Sequence, residues 1–142
     1  MQLDMEYQID RNGLLERVEE EISHIADASY AESGQSLYDT IVLTEKDRAG
    51  ALRLIEDAVG LFVKRTFDIC RRAYDSLVFS VPDFDESMTE IVQGEISDFL
   101  VFYPVATICQ SRKAERAQEF AQRAQDAIDK AAVLLKSRKL PE

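Results

Sequence analysis

The stretch Ser97-Asp98-Phe99-Leu100-Val101-Phe102-Tyr103-Pro104-Val105-Ala106-Thr107-Ile108-Cys109 is the most apolar part of the chain and decides its fold. Met88, Val92 and Ile96 lead into it at helical spacing, with Asp85 or Ser87 placed to start the helix. From Phe99 onward apolar residues fill every face, the pattern of a helix surrounded by other elements. The apolar core from Phe99 to Cys109 is 11 residues, whereas a membrane span needs about 20. The stretch therefore reads as a buried core helix rather than a membrane segment. Pro104 lacks an N–H and clashes with the carbonyl of Leu100. The helix is expected to kink there, or to end near Tyr103 and restart with Pro104 in a first turn.

Amphipathic segments lie on either side. Residues 1–10 read as an extended arm. Asp10 or Asn12 can cap a first helix running to about Tyr30, with Leu14, Val18, Ile22 and Ile25 on one face and Leu15 alongside. Ser33-Gly34-Gln35-Ser36 reads as a loop, and Leu37–Leu43, rich in β-branched residues, as a short extended segment. Thr44-x-x-Asp47 resembles a capping box with Asp in place of Glu. It opens a second helix, about 45–74, with the stripe Leu52, Ile55, Val59, Phe62, Val63, Phe67, Cys70 and Tyr74. Gly50 and Gly60 each cost about 1 kcal/mol relative to Ala, a cost that close backbone packing would offset. Leu77–Val81 reads as a strand stopped by Pro82 and paired with 37–43 in a two-stranded ribbon.

Ser111 is placed to cap a last helix, about 112–138, whose inner face is small: Ala114, Ala117, Ala121, Ala124 and Ala131, with Phe120, Ile128, Leu134 and Leu135. Alanine favours helix and lets neighbours approach closely. The reading is one all-α domain over residues 1–142: a four-helix bundle with a kinked central helix, a minor two-stranded ribbon and a basic tail at 136–142.

Composition narrows the function classes. The chain of 142 residues is 46% hydrophobic and 31% charged, with net charge −10. Residues 1–110 hold 9 Lys/Arg against 22 Asp/Glu, and residues 111–142 hold 8 against 5. Between Arg72 and Arg112 there is no basic residue. Such a body repels phosphate backbones, so sequence-specific nucleic-acid binding is not expected. The two cysteines, Cys70 and Cys109, are far apart and in apolar contexts, which fits a reduced compartment. The N-terminus has neither the basic nor the apolar region of a signal peptide.

Chemistry-bearing patterns are sparse. Glu20 lies one turn before His24, the only histidine, but two ligands do not make a metal site. Cys70 has Arg71 and Arg72 beside it and no histidine base near in sequence. Asp83-x-Asp85-Glu86 clusters carboxylates without the glycine and ligand spacing of a calcium loop. There is no phosphate-loop, dinucleotide or nucleophile-elbow motif. No catalytic residue, cofactor or metal is assigned. The candidate interface residues are the acidic Asp83, Asp85 and Glu86 and the basic tail residues Lys136, Arg138 and Lys139.

One pattern extends over most of the chain. "DFLVFYPVATICQSRKAERAQEFAQRAQDAIDKAAVLLKSRKLP" joins an apolar aromatic helix, a short polar break, an Ala-rich helix and a Leu-x-x-Arg-Lys-x-Pro ending, preceded by "LLERVEEEISHIADASY", "TIVLTEKD" and "LVFSVPDFD". In this order the chain resembles small all-helical head–tail connector (adaptor or head-completion, neck) proteins of tailed phages and prophages of gut bacteria. The resemblance implies a non-enzymatic virion subunit that forms a homo-oligomeric ring beneath the portal and contacts portal and tail-side neck proteins. It also implies a cytoplasmic location before assembly, with the N-terminal arm and basic tail as clasps between subunits. The residues alone leave two other classes open: a small intracellular regulatory or protein-binding bundle, and an enzyme or ligand-binding domain with an acidic pocket near Pro104.

Overall fold

A computed structural model describes residues 5–33, 41–66, 70–72, 76–81 and 86–135. In chain order the elements are β1 (Met5–Asp10), α1 (Arg11–Ser33), a 3-10 turn (Glu45–Asp47), α2 (Arg48–Arg65), β2 (Cys70–Arg72), β3 (Ser76–Val81), a second 3-10 turn (Glu86–Met88), α3 (Thr89–Arg112) and α4 (Ala114–Leu134). The helices form the expected all-α bundle, and the β content is minor.

α3 is its centre. It touches each of the other three helices and buries ten residues, among them Val92, Ile96, Phe99, Leu100, Val105 and Cys109. The apolar-all-round sequence has this as its cause, since no side chain from Phe99 to Cys109 is fully exposed. By length and composition α3 could also cross a membrane, but half of its apolar window is buried inside the bundle. The helix runs uninterrupted through Pro104 to Arg112, so the expected end at Tyr103 and restart at Pro104 do not occur.

The expected faces of α1 and α2 are buried. Leu14, Leu15, Val18, Ile22 and Ile25 are at most 2% exposed, and Ile55, Val59 and Phe62 join them in one core. Asp10 Oδ1 accepts from the Asn12 backbone N–H at 3.2 Å, the hydrogen bond of an N-cap. Thr44 and Asp47 make their expected box, with Thr44 N–H donating to Asp47 Oδ2 at 2.8 Å, although it caps the 3-10 turn that leads into α2.

Several boundaries differ from expectation. α2 ends at Arg65, nine residues before Tyr74, where Thr66 leaves helical backbone geometry at φ −111° and ψ 43°. Its hydroxyl and its N–H both donate to the Phe62 carbonyl, at 2.8 and 2.9 Å. Cys70 is accordingly on β2 rather than on a helical stripe. A Cβ built at Gly50 or Gly60 meets nothing within 4 Å, so neither glycine serves close packing. α3 begins at Thr89 after the 3-10 turn, with Met88 at its N-cap position, and Asp85 lies outside the described residues. Ser111 lies inside the last turn of α3, its hydroxyl donating to Ile108 O at 3.2 Å. The break falls at Lys113 alone, with φ −154° and ψ 72°, and α4 starts one residue later.

β3 is the expected strand with different partners. It pairs antiparallel with β1 on one side and β2 on the other, Tyr7 and Cys70 both facing Phe79 in register. Both edges of β3 are thereby filled by β1 and β2. Ile41 of the 37–43 segment is helical and buried, and the rest of that segment to 40 lies outside the described residues. The N-terminal arm, from Met5, is β1 and runs directly into α1.

Candidate functional site

α3 and α4 are joined by one residue, so α4 must fold back along α3 as an antiparallel hairpin. Phe102 and Phe120 meet across it with ring centroids 6.0 Å apart. The Arg123 guanidinium covers both rings, and Arg116 also lies over Phe120. Glu119 accepts from both arginines, at 2.8 and 2.7 Å. The Arg116 hydrogen bond, with the charge of both guanidinium groups, holds its carboxyl below the usual range. This flank of the hairpin is closed.

The other flank is open. α2, α3 and α4 enclose a cleft of about 580 Å³. Phe99, Tyr103, Ala106, Ala124 and Ile128 form an apolar floor. The small residues of α4 are what create the space: Ala121 and Ala124 stand where larger side chains would fill it. Leu61 edges the cleft and is 41% exposed. Among the described residues Lys64 and Arg65 are its charged lining residues, with Thr107, Gln110 and Gln125 the polar ones. At one end Arg65 Nη2 donates to Asp129 Oδ1 at 3.1 Å, and Gln125 donates to the same oxygen at 3.0 Å. The described lining beside Pro104 is thus apolar, with Lys64 and the Arg65–Asp129 pair at its rim, while Asp83 and Asp85, the acids weighed from sequence, lie outside the described residues.

A smaller cleft, about 390 Å³, lies between the start of α2 and the end of α3. Arg112 occupies its wall as a staple. One guanidinium nitrogen donates to the carbonyls of Val42 (2.9 Å) and Ile41 (3.3 Å), and the other meets Asp47 Oδ1 at 2.9 Å. Its guanidinium is already committed, so this cleft has a structural explanation.

The sequence-derived candidates divide sharply. Asp83, Asp85, Lys136, Arg138 and Lys139 lie outside the described residues, and Glu86 opens the 3-10 turn before α3. His24 Nε2 lies 4.0 Å from Glu20 Oε1 on an exposed face. Among the described residues no three His, Cys, Asp or Glu side chains gather as a metal set. Cys109 is buried, and desolvation pushes its thiol pKa up, away from nucleophilic use. Leu61, Lys64 and Arg65 were missed because they lie off the core stripe of α2. An exposed Leu beside two cations near the end of a helix was the available signal.

No family model matches the chain, and no curated protein or solved structure matches it either.

Proposed function

We propose that this chain is a non-enzymatic structural subunit of a tailed phage or prophage, a head–tail connector or adaptor that forms a ring beneath the portal. The observation that carries the reading is the cleft. Three helices frame an apolar floor of side chains from α3 and α4, open to solvent and edged by an exposed leucine. A concave apolar surface with few polar groups is suited to receiving a side chain of another protein.

The resemblance in sequence supports the same reading. Its apolar aromatic segment is α3, its polar break is Lys113 and its Ala-rich segment is α4. The net charge of −10 gives the body no general attraction for DNA passing through such a ring. The cytoplasm before assembly and the virion neck afterwards are the corresponding locations. Co-expression with the portal protein encoded in the same phage or prophage genome tests the assignment. Co-purification of the two as one particle is expected, and a portal ring that excludes this chain contradicts it.

A further inference from the structure

We propose that the cleft receives the first turn of α3 from a second copy of this chain, so that copies join head to tail. The proposal rests on reading the chain as a ring subunit and names the two surfaces that would build the ring.

Among the described residues three large apolar side chains are strongly exposed: Leu61, Ile91 and Val133, at 41, 53 and 68%. Leu61 edges the cleft. Ile91 is in the first turn of α3, with Glu90 beside it and Glu95 one turn on. The cleft's rim carries the opposite sign. Lys64 is exposed and has no ion pair among the described residues, and Arg65 is next to it. Charge complementarity therefore selects the occupant: Ile91 seats on the apolar floor, and Glu90 and Glu95 face Lys64, with Arg65 beside it already paired to Asp129. Val133 is the poorer match, since Lys130 and Lys136, each three residues away, repeat the sign of the rim.

Donor and acceptor are different patches. Ile91 precedes Phe99 of the cleft floor by eight residues, about 12 Å along the helix axis, and lies about 80° around it. A contact between two different patches is heterologous. It closes into a ring or, if the rotation does not close, continues as a filament.

Directional cross-linking tests this. Leu61→Cys and Ile91→Cys are made separately in a Cys70→Ser background, where Cys109 is buried. Both probe positions, and Lys64, are exposed, and far-UV circular dichroism verifies that each variant keeps its helix content. After mild oxidation, disulfide dimers are expected in the mixture of the two variants and not in either alone. Lys64→Glu in the Leu61→Cys copy should lower the yield about tenfold, as reversal of a facing charge disfavours the contact. Glu90→Lys with Glu95→Lys in the Ile91→Cys copy should restore it. No excess of dimer in the mixture, or equal dimer from Leu61→Cys alone, overturns the proposal. Portal binding without this cross-link removes the contact and leaves the neck assignment standing. The cross-link without portal binding does the reverse.

Discussion

Arg65 and Asp129 meet at 3.1 Å across one end of the cleft and tie α2 to α4. Each side chain is 48% exposed, so the pair contributes little to folding, about 0–1 kcal/mol in the general case. Its importance is positional, since it fixes how far α4 stands from α2 and holds a cation on the rim. Asp129→Ala should leave the unfolding midpoint within about 1 kcal/mol of the parent, as urea titration would show. The same variant should strengthen self-association, because it frees Arg65 to face Glu90 and Glu95 of the next copy. Unchanged association with lowered stability would reverse this assignment.

Phe99 is the reverse case. It is 3% exposed, and its ring lies 6.4 Å from that of Phe62 and 5.8 Å from that of Tyr103. Phe99→Ala should lower stability by roughly 3–5 kcal/mol, measured by denaturant unfolding. A loss under about 1 kcal/mol is typical of a surface site and would place the ring outside the core.

The Arg112 staple predicts both a mutational and a pH effect. Arg112→Ala removes charged hydrogen bonds to the Ile41 and Val42 carbonyls and should cost about 1.5–3 kcal/mol. Asp47 is held below the ordinary carboxylate range, first by the Thr44 backbone N–H and then by Arg112. Because the folded pKa is depressed, Asp47 stabilises the fold fully above the unfolded value, about 3.9. That contribution is lost as pH falls through the folded value. Glu119 acts with the same sign. Urea midpoints of the parent should fall as pH drops below about 4. Asp47→Asn should be less stable at neutral pH and should lose part of that acid dependence.

Gly60 lies in the interior of α2 with no heavy atom within 4 Å of a built Cβ. Gly60→Ala should therefore stabilise the protein, by about 0.5–1 kcal/mol. Thermal unfolding that shifts downward instead would mean that the missing side chain is needed there, for a contact outside a single copy.

The bundle was legible where periodicity carried it. The stripe from Leu14 to Ile25 and the apolar-all-round α3 each have one physical reading, and both are buried as that reading requires. Helix ends were harder, because they are decided by the backbone angles of single residues. α2 stops at the non-helical backbone of Thr66, while Lys113, not Ser111, breaks the last hairpin. β1 carried a usable signal in the alternation of Met5, Tyr7 and Ile9, but its pairing with β3 spans more than 65 residues and is a tertiary choice. The cleft was not legible at all. Its floor and rim come from three helices, and only packing brings Leu61 and Lys64 beside Phe99 and Ile128.

The most direct measurement of the proposed neck role is native mass spectrometry of the purified chain mixed with a portal ring encoded in the same genome. A single particle carrying many copies of this chain per portal ring is predicted. A chain that stays monomeric at every concentration, with the portal mass unchanged, would contradict it.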